Sequence, residues 1–138
     1  MQTTDADEAV LIPVSIGELL DKITILELKT ERIVDPSKQL NIRFELGLLR
    51  AVWERCGVTN PALELLLNEL KNINESLWVI EDEIRECERQ RDFGPRFIEL
   101  ARAVYRTNDR RSALKRKINE LSGSAIVEEK SYDVEFPT

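Results

Sequence analysis

The 138-residue chain contains no histidine. Its absence removes the commonest general base and the commonest metal ligand at neutral pH, and excludes Ser-His, Cys-His and HExxH chemistry. The two cysteines, Cys56 and Cys87, form no CxxC pair. Both fall on apolar stripes, which predicts buried free thiols in a reducing compartment. With only five glycines and five prolines, punctuation is sparse. No apolar run approaches the ~20 residues of a membrane span. The opening "MQTTDADEAVLIP" is acidic and lacks an apolar h-region, so no signal peptide and a cytoplasmic location are expected.

What the chain does have is charge. Charged residues make up 33% of the sequence and apolar ones 42%, against roughly 25% and 45–50% in ordinary globular domains. Together with the sparse punctuation, this predicts one domain of long amphipathic helices with wet outer faces. A net charge of −6 argues against a nucleic-acid platform.

The helix signals are local and specific. Residues 1–8 read as an acidic tail and "AVLIPVS" as a short extended segment. Ser15 followed by Glu18 is a capping box. Ile16, Leu19, Ile23, Leu26, Thr30 and Ile33 then follow alternating 3-4 spacing. Asp35-Pro36 ends that helix or begins a turn. A second helix is predicted over 38–56 with two apolar stripes, Ile42-Leu46-Leu49-Trp53-Cys56 and Leu40-Phe44-Leu48-Val52. A helix apolar on two sides is expected to lie between neighbours, and Gly57 is a natural terminator. Asn60-Pro61 starts a third helix. Its seam, Leu63, Leu66, Leu70, Ile73, Leu77, Ile80, Ile84 and Cys87, runs 3-4-3-4 without a break. After "DFGPR" a fourth helix is predicted over about 95–122, with Phe97, Leu100, Val104, Thr107, Arg111, Leu114, Ile118 and Leu121 on its seam. The alternating Tyr132, Val134 and Phe136 are strand-like, and suit pairing with the N-terminal extended segment. The expected architecture is an all-α four-helix bundle with a long antiparallel coiled-coil-like hairpin and short extended segments at both termini.

Arg111 interrupts the apolar seam of the fourth helix. Burying a lone guanidinium is costly, so two readings follow. In one, Arg111 pairs with a carboxylate of a facing helix as a register device. In the other, it lines a polar cavity and grips an anion, with Lys22, Lys29 and Asn108 as candidate partners in a cationic pocket. Residues 102–117 hold seven basic residues and one acid. Arg102, Arg106, Arg110 and Lys117 share one side there, as a candidate surface for an acidic partner. No aromatics interleave, so nucleic acid is not the expected partner. Glu81, Asp82, Glu83, Glu86 and Glu88 have the spacing of a solvated face. No metal site and no cofactor are expected.

The segments "PVSIGELLDKITILELKTERI", "NIRFELGLL", "LWVIEDEIRE", "FIELARAVYRTNDRRSALKRKINEL" and "SAIVEEKSY" together resemble a family of small bacterial proteins known only as a domain of unknown function. The resemblance runs from Pro13 to Tyr132. It implies a compact helical protein, sometimes encoded near or fused to glycan-handling and glycosyltransferase proteins, and supplies no catalytic residues. A looser resemblance is to the all-helical chorismate mutases, whose chemistry needs only cationic and hydrogen-bonding side chains in a dry pocket. Here Leu20 and Leu28 stand where inward arginines would be sought. The leading expectation is a helical interaction module or adaptor for a glycan-pathway protein, self-associating through apolar seam of the long third helix left uncovered by its neighbour. The alternative is a protein that binds a small anion such as a sugar phosphate.

Overall fold

The computed structural model describes residues 8–131. Four helices, α1 (Ile16–Arg32), α2 (Pro36–Cys56), α3 (Pro61–Arg89) and α4 (Pro95–Ser122), pack as an all-α bundle, with no strand among the described residues. Each helix begins and ends on local chemistry. The Ser15 hydroxyl accepts from the Glu18 amide at 3.0 Å, and Asn60 Oδ1 accepts from the Ala62 amide at 3.0 Å. Gly57 and Gly123 close α2 and α4 at φ of 62° and 70°, the left-handed region that glycine enters without steric cost. Asp35 caps α2 by accepting from the Ser37 amide, with Pro36 at the first helical position. The proline therefore opens the second helix two residues before the expected start.

α1 is the centre of the bundle. It packs against α2, α3 and α4, while α3 and α4 form the most extensive pair and α2 joins chiefly through α1. Buried positions therefore surround α1: Leu19, Leu20, Ile23, Leu26 and Leu28, but also Gly17, Asp21 and Thr24. They meet Ile42, Leu46, Leu63, Leu70, Leu114 and Ile118 in one core. Gly17 permits the closest approach, because a Cβ there would lie 2.7 Å from the Lys115 carbonyl oxygen.

Three expectations change. Leu40 and Phe44 of the second α2 stripe are exposed, because α1 covers one side of α2 and, among the described residues, no helix covers the other. Cys56 is exposed rather than buried, in the last turn before the chain leaves at Gly57, whereas Cys87 is buried as expected. Leu121 is exposed on the side of the final turn of α4 turned away from α1, while Asn119 in the same turn is buried against the start of α1. The expected strand-like Tyr132, Val134 and Phe136 lie outside the described residues. Among the described residues, the start of α1 is tied to the segment after α4 by hydrogen bonds.

Candidate functional site

The polar residues converge where the start of α1 meets the last three turns of α4. The first amides of a helix have no partner within it. Here the Ile16 amide donates to Ser124 Oγ at 3.1 Å, and the Gly17 amide to Asn119 Oδ1 at 2.6 Å. The Ser15 hydroxyl, besides accepting from Glu18, donates to the Glu128 carboxylate. The chain beyond α4 thus comes back onto the helix that starts the fold.

Lys115 lies at the centre of this junction. Its ammonium is 2.5 Å from Glu18 Oε2, 3.4 Å from Glu128 Oε2 and 3.9 Å from Asp21 Oδ2. Burial lowers its pKa, but the hydrogen bond to Glu18 and the charges of Asp21, Glu18 and Glu128 outweigh burial and raise it above the ordinary lysine value. A lysine held protonated in this way is neither a nucleophile nor a base at neutral pH. For Glu128, burial raises the pKa, and the Ser15 hydroxyl, Lys115 and Asn119 together bring it below the ordinary carboxylate value.

Asp21 is the buried acid of the junction, its side chain 6% exposed. Oδ1 accepts from Asn74 Nδ2 at 2.9 Å, and the same amide nitrogen donates to Thr24 Oγ1 at 2.9 Å. Arg111 reaches Asp21 Oδ2 at 4.0 Å with its own side chain 31% exposed. The seam arginine therefore has a carboxylate partner on a facing helix. It also borders a groove of about 510 Å³ beside α4, lined by Arg111, Ser112, Lys115, Arg116, Lys117, Asn119, Glu120, Glu128, Glu129 and Lys130. Arg111 is at once paired and water-accessible.

The other residues read as a cationic pocket do not gather around Arg111. Lys22 is exposed, about 100° round α1 from Asp21, and Lys29 is half-buried about 12 Å further along the axis. Asn108 is half-buried on α4. Among the described residues, no hydrogen bond or ion pair joins these three to Arg111. Glu18, one turn before Lys22 on α1, takes Lys115 as its ion-pair partner. On the basic side of α4, Arg102 and Arg106 share Glu99 at 3.7 and 3.4 Å, Arg110 is exposed, and Lys117 is exposed at the groove. Asp21, Asn74, Lys115, Asn119 and Glu128 were not singled out from the sequence. The available signal was Lys115, one helical turn from Arg111 and so on the same side of α4.

The model of one family of unknown function, DUF6165, matches residues 10–138. The chain belongs to that family. No curated protein and no solved structure matches it. DUF6165 membership agrees with the resemblance read from the helical segments, and it attaches no activity to the junction. The chemistry available there is ionic: it locks helices and offers cations to an anion.

Proposed function

We propose that this DUF6165 chain is a helical protein-interaction module whose docking face is the outer side of α2. The observation that carries this reading is the exposure of an apolar helix face: Leu40 is 72% and Phe44 49% exposed, next to Val34 at 87%. Contiguous apolar surface of this kind marks interaction sites more often than isolated apolar side chains do. The face is held in place, because the Gln39 amide donates to the Thr30 and Ile33 carbonyls and fastens α2 to the end of α1. The α3–α4 hairpin, with its coiled-coil-like seam, is in this reading the stiff support of the face. A photoreactive residue placed at Phe44 in the full chain, expressed in living cells, should give one adduct of defined mass. The same residue at exposed Asn72 on α3 should give none. Absence of an adduct at Phe44 would remove the reading.

A second reading rests on the groove beside α4, with Arg111, Lys115, Arg116 and Lys117 on its wall. A sugar phosphate or other small anion would be held there. It ranks second because Lys115 is already shared by Glu18, Asp21 and Glu128, and Arg116 faces Glu120 and Glu129. Raised melting of the parent in phosphate, lost in Arg111→Met, would place this reading first.

A further inference from the structure

We infer that the occupant of the α2 face is a second copy of this chain, its α2 antiparallel to the first about a dyad between Glu45 and Leu46. This inference rests on the interaction reading above and names its partner. The outward stripe of α2 is Leu40, Phe44, Gly47 and Ala51, all exposed and spaced 4-3-4. Its large residues occupy the N-terminal half and its small residues the C-terminal half. In an antiparallel pair about that dyad, Leu40 faces Ala51 of the other copy and Phe44 faces Gly47. Each bulky side chain then meets a hollow, which is how close-packed helix pairs fit together.

Gly47 is the observation that asks for a partner. A glycine inside a helix costs stability relative to alanine, and chains keep one where a backbone must come close to something. Gly17 has that reason within the chain, since a Cβ would strike Lys115 and Asn119. Gly47 has none among the described residues, because a Cβ there would meet none of them within 4 Å. No described residue of the chain makes the close approach that Gly47 permits, and Phe44 of a second copy has the size and position to make it.

Charge and area fit a weak dimer. The stripe itself carries no charge. Each α2 carries four basic and two acidic residues, so the two helices meet with like net charge, which holds the pair weak. Arg50, which would approach Arg43 of the other copy across the rim, is drawn toward Glu27 of its own α1 at 3.6 Å. The stripe is only ~16 Å long. It buries well under the roughly 800 Å² per partner of a standard stable interface, so the dimer is reversible at micromolar concentrations and above.

Sedimentation equilibrium of the full chain over a wide concentration range tests this. The parent should show a reversible monomer–dimer equilibrium. Phe44→Ala and Gly47→Phe should each weaken it by roughly tenfold or more, as loss of a central contact does. The double variant should recover most of the loss, because position 44 of one copy faces position 47 of the other and the pair has merely been exchanged. Circular dichroism and melting confirm that each variant is folded. A parent that stays monomeric to millimolar concentration overturns the inference, as does a folded double variant that recovers nothing. If the chain is monomeric but the Phe44 photoadduct forms with a different mass, only the second copy fails. If neither association nor adduct is seen, the interaction reading fails with it.

Discussion

Replacing Lys115 by methionine removes the cation that Glu18, Asp21 and Glu128 share. Glu18 and Glu128 are 30% and 46% exposed and can turn to water. Asp21, at 6% exposed, cannot. It would keep the Asn74 amide at 2.9 Å and Arg111 at 4.0 Å. Breaking a buried pair on one side costs about 3–5 kcal/mol. The residual partners of Asp21 place this case near the lower end, about 3 kcal/mol. Arg111→Met is the informative contrast. Arg111 is 31% exposed and at the outer limit of ion-pair distance, where pairs contribute about 0–1 kcal/mol. Its loss should therefore cost about 1 kcal/mol or less. Urea unfolding followed by far-UV circular dichroism measures both, with unchanged denaturant slopes showing that only stability has moved. Adding Asp21→Asn to Lys115→Met should cost less than the sum of the single changes, by about 1 kcal/mol or more. An Arg111→Met loss equal to or larger than that of Lys115→Met would refute this ranking, and would make the seam arginine the principal partner of Asp21.

Gly17→Ala should lower stability by about 1–3 kcal/mol despite the better helix former, because the new methyl would meet the Lys115 backbone oxygen at 2.7 Å. Thermal melting checks it, and an unchanged or raised melting temperature would mean that α1 and α4 are not so close. Glu128→Gln tests the tail contact through pH. The folded-state pKa of Glu128 lies below its ordinary value of 4.5, so its stabilisation is present above that value and is lost as pH falls through the depressed one. The parent should be the more stable protein at neutral pH, and the gap between parent and variant should close in acid. A gap that persists unchanged to low pH would show that the Glu128 charge contributes nothing.

Helix positions were largely legible because caps are local. Ser15, Asn60, Gly57 and Gly123 act on amides and carbonyls a few residues away, and their effect does not depend on the rest of the fold. Coverage of a helix face is a different kind of fact. The two α2 stripes carry the same apolar signal, yet Ile42 and Leu46 are buried while Leu40 and Phe44 face water. Periodicity reports that a face is apolar. Which neighbour lies against it depends on the relative placement of whole helices, and among the described residues α2 packs chiefly against α1. The exposed Cys56 and Leu121 are further cases of apolar signal on a side of a last turn that no neighbour among the described residues covers.

The site was legible in one half only. Arg111 stood out because it broke a period, and an interruption is visible whatever surrounds it. Asp21 breaks nothing, because "LLDKIT" reads as an acid beside a lysine on a wet face. It is buried because α1 is central and has no wet face at that position. Glu128 is further still from local inference, since its bond to Ser15 joins residues 113 positions apart. The Arg111 interruption has a neighbour in the same geometry. Thr107, Arg111 and Leu114 run along one seam of α4, but at Arg111 the seam also meets α1, and α1 presents the Asp21 carboxylate there. An apolar residue at position 111 would leave that carboxylate one cation fewer. A seam arginine that faces the central helix of a bundle is thus a clue to a buried acid on that helix, and the acid is best sought among its apparently exposed positions.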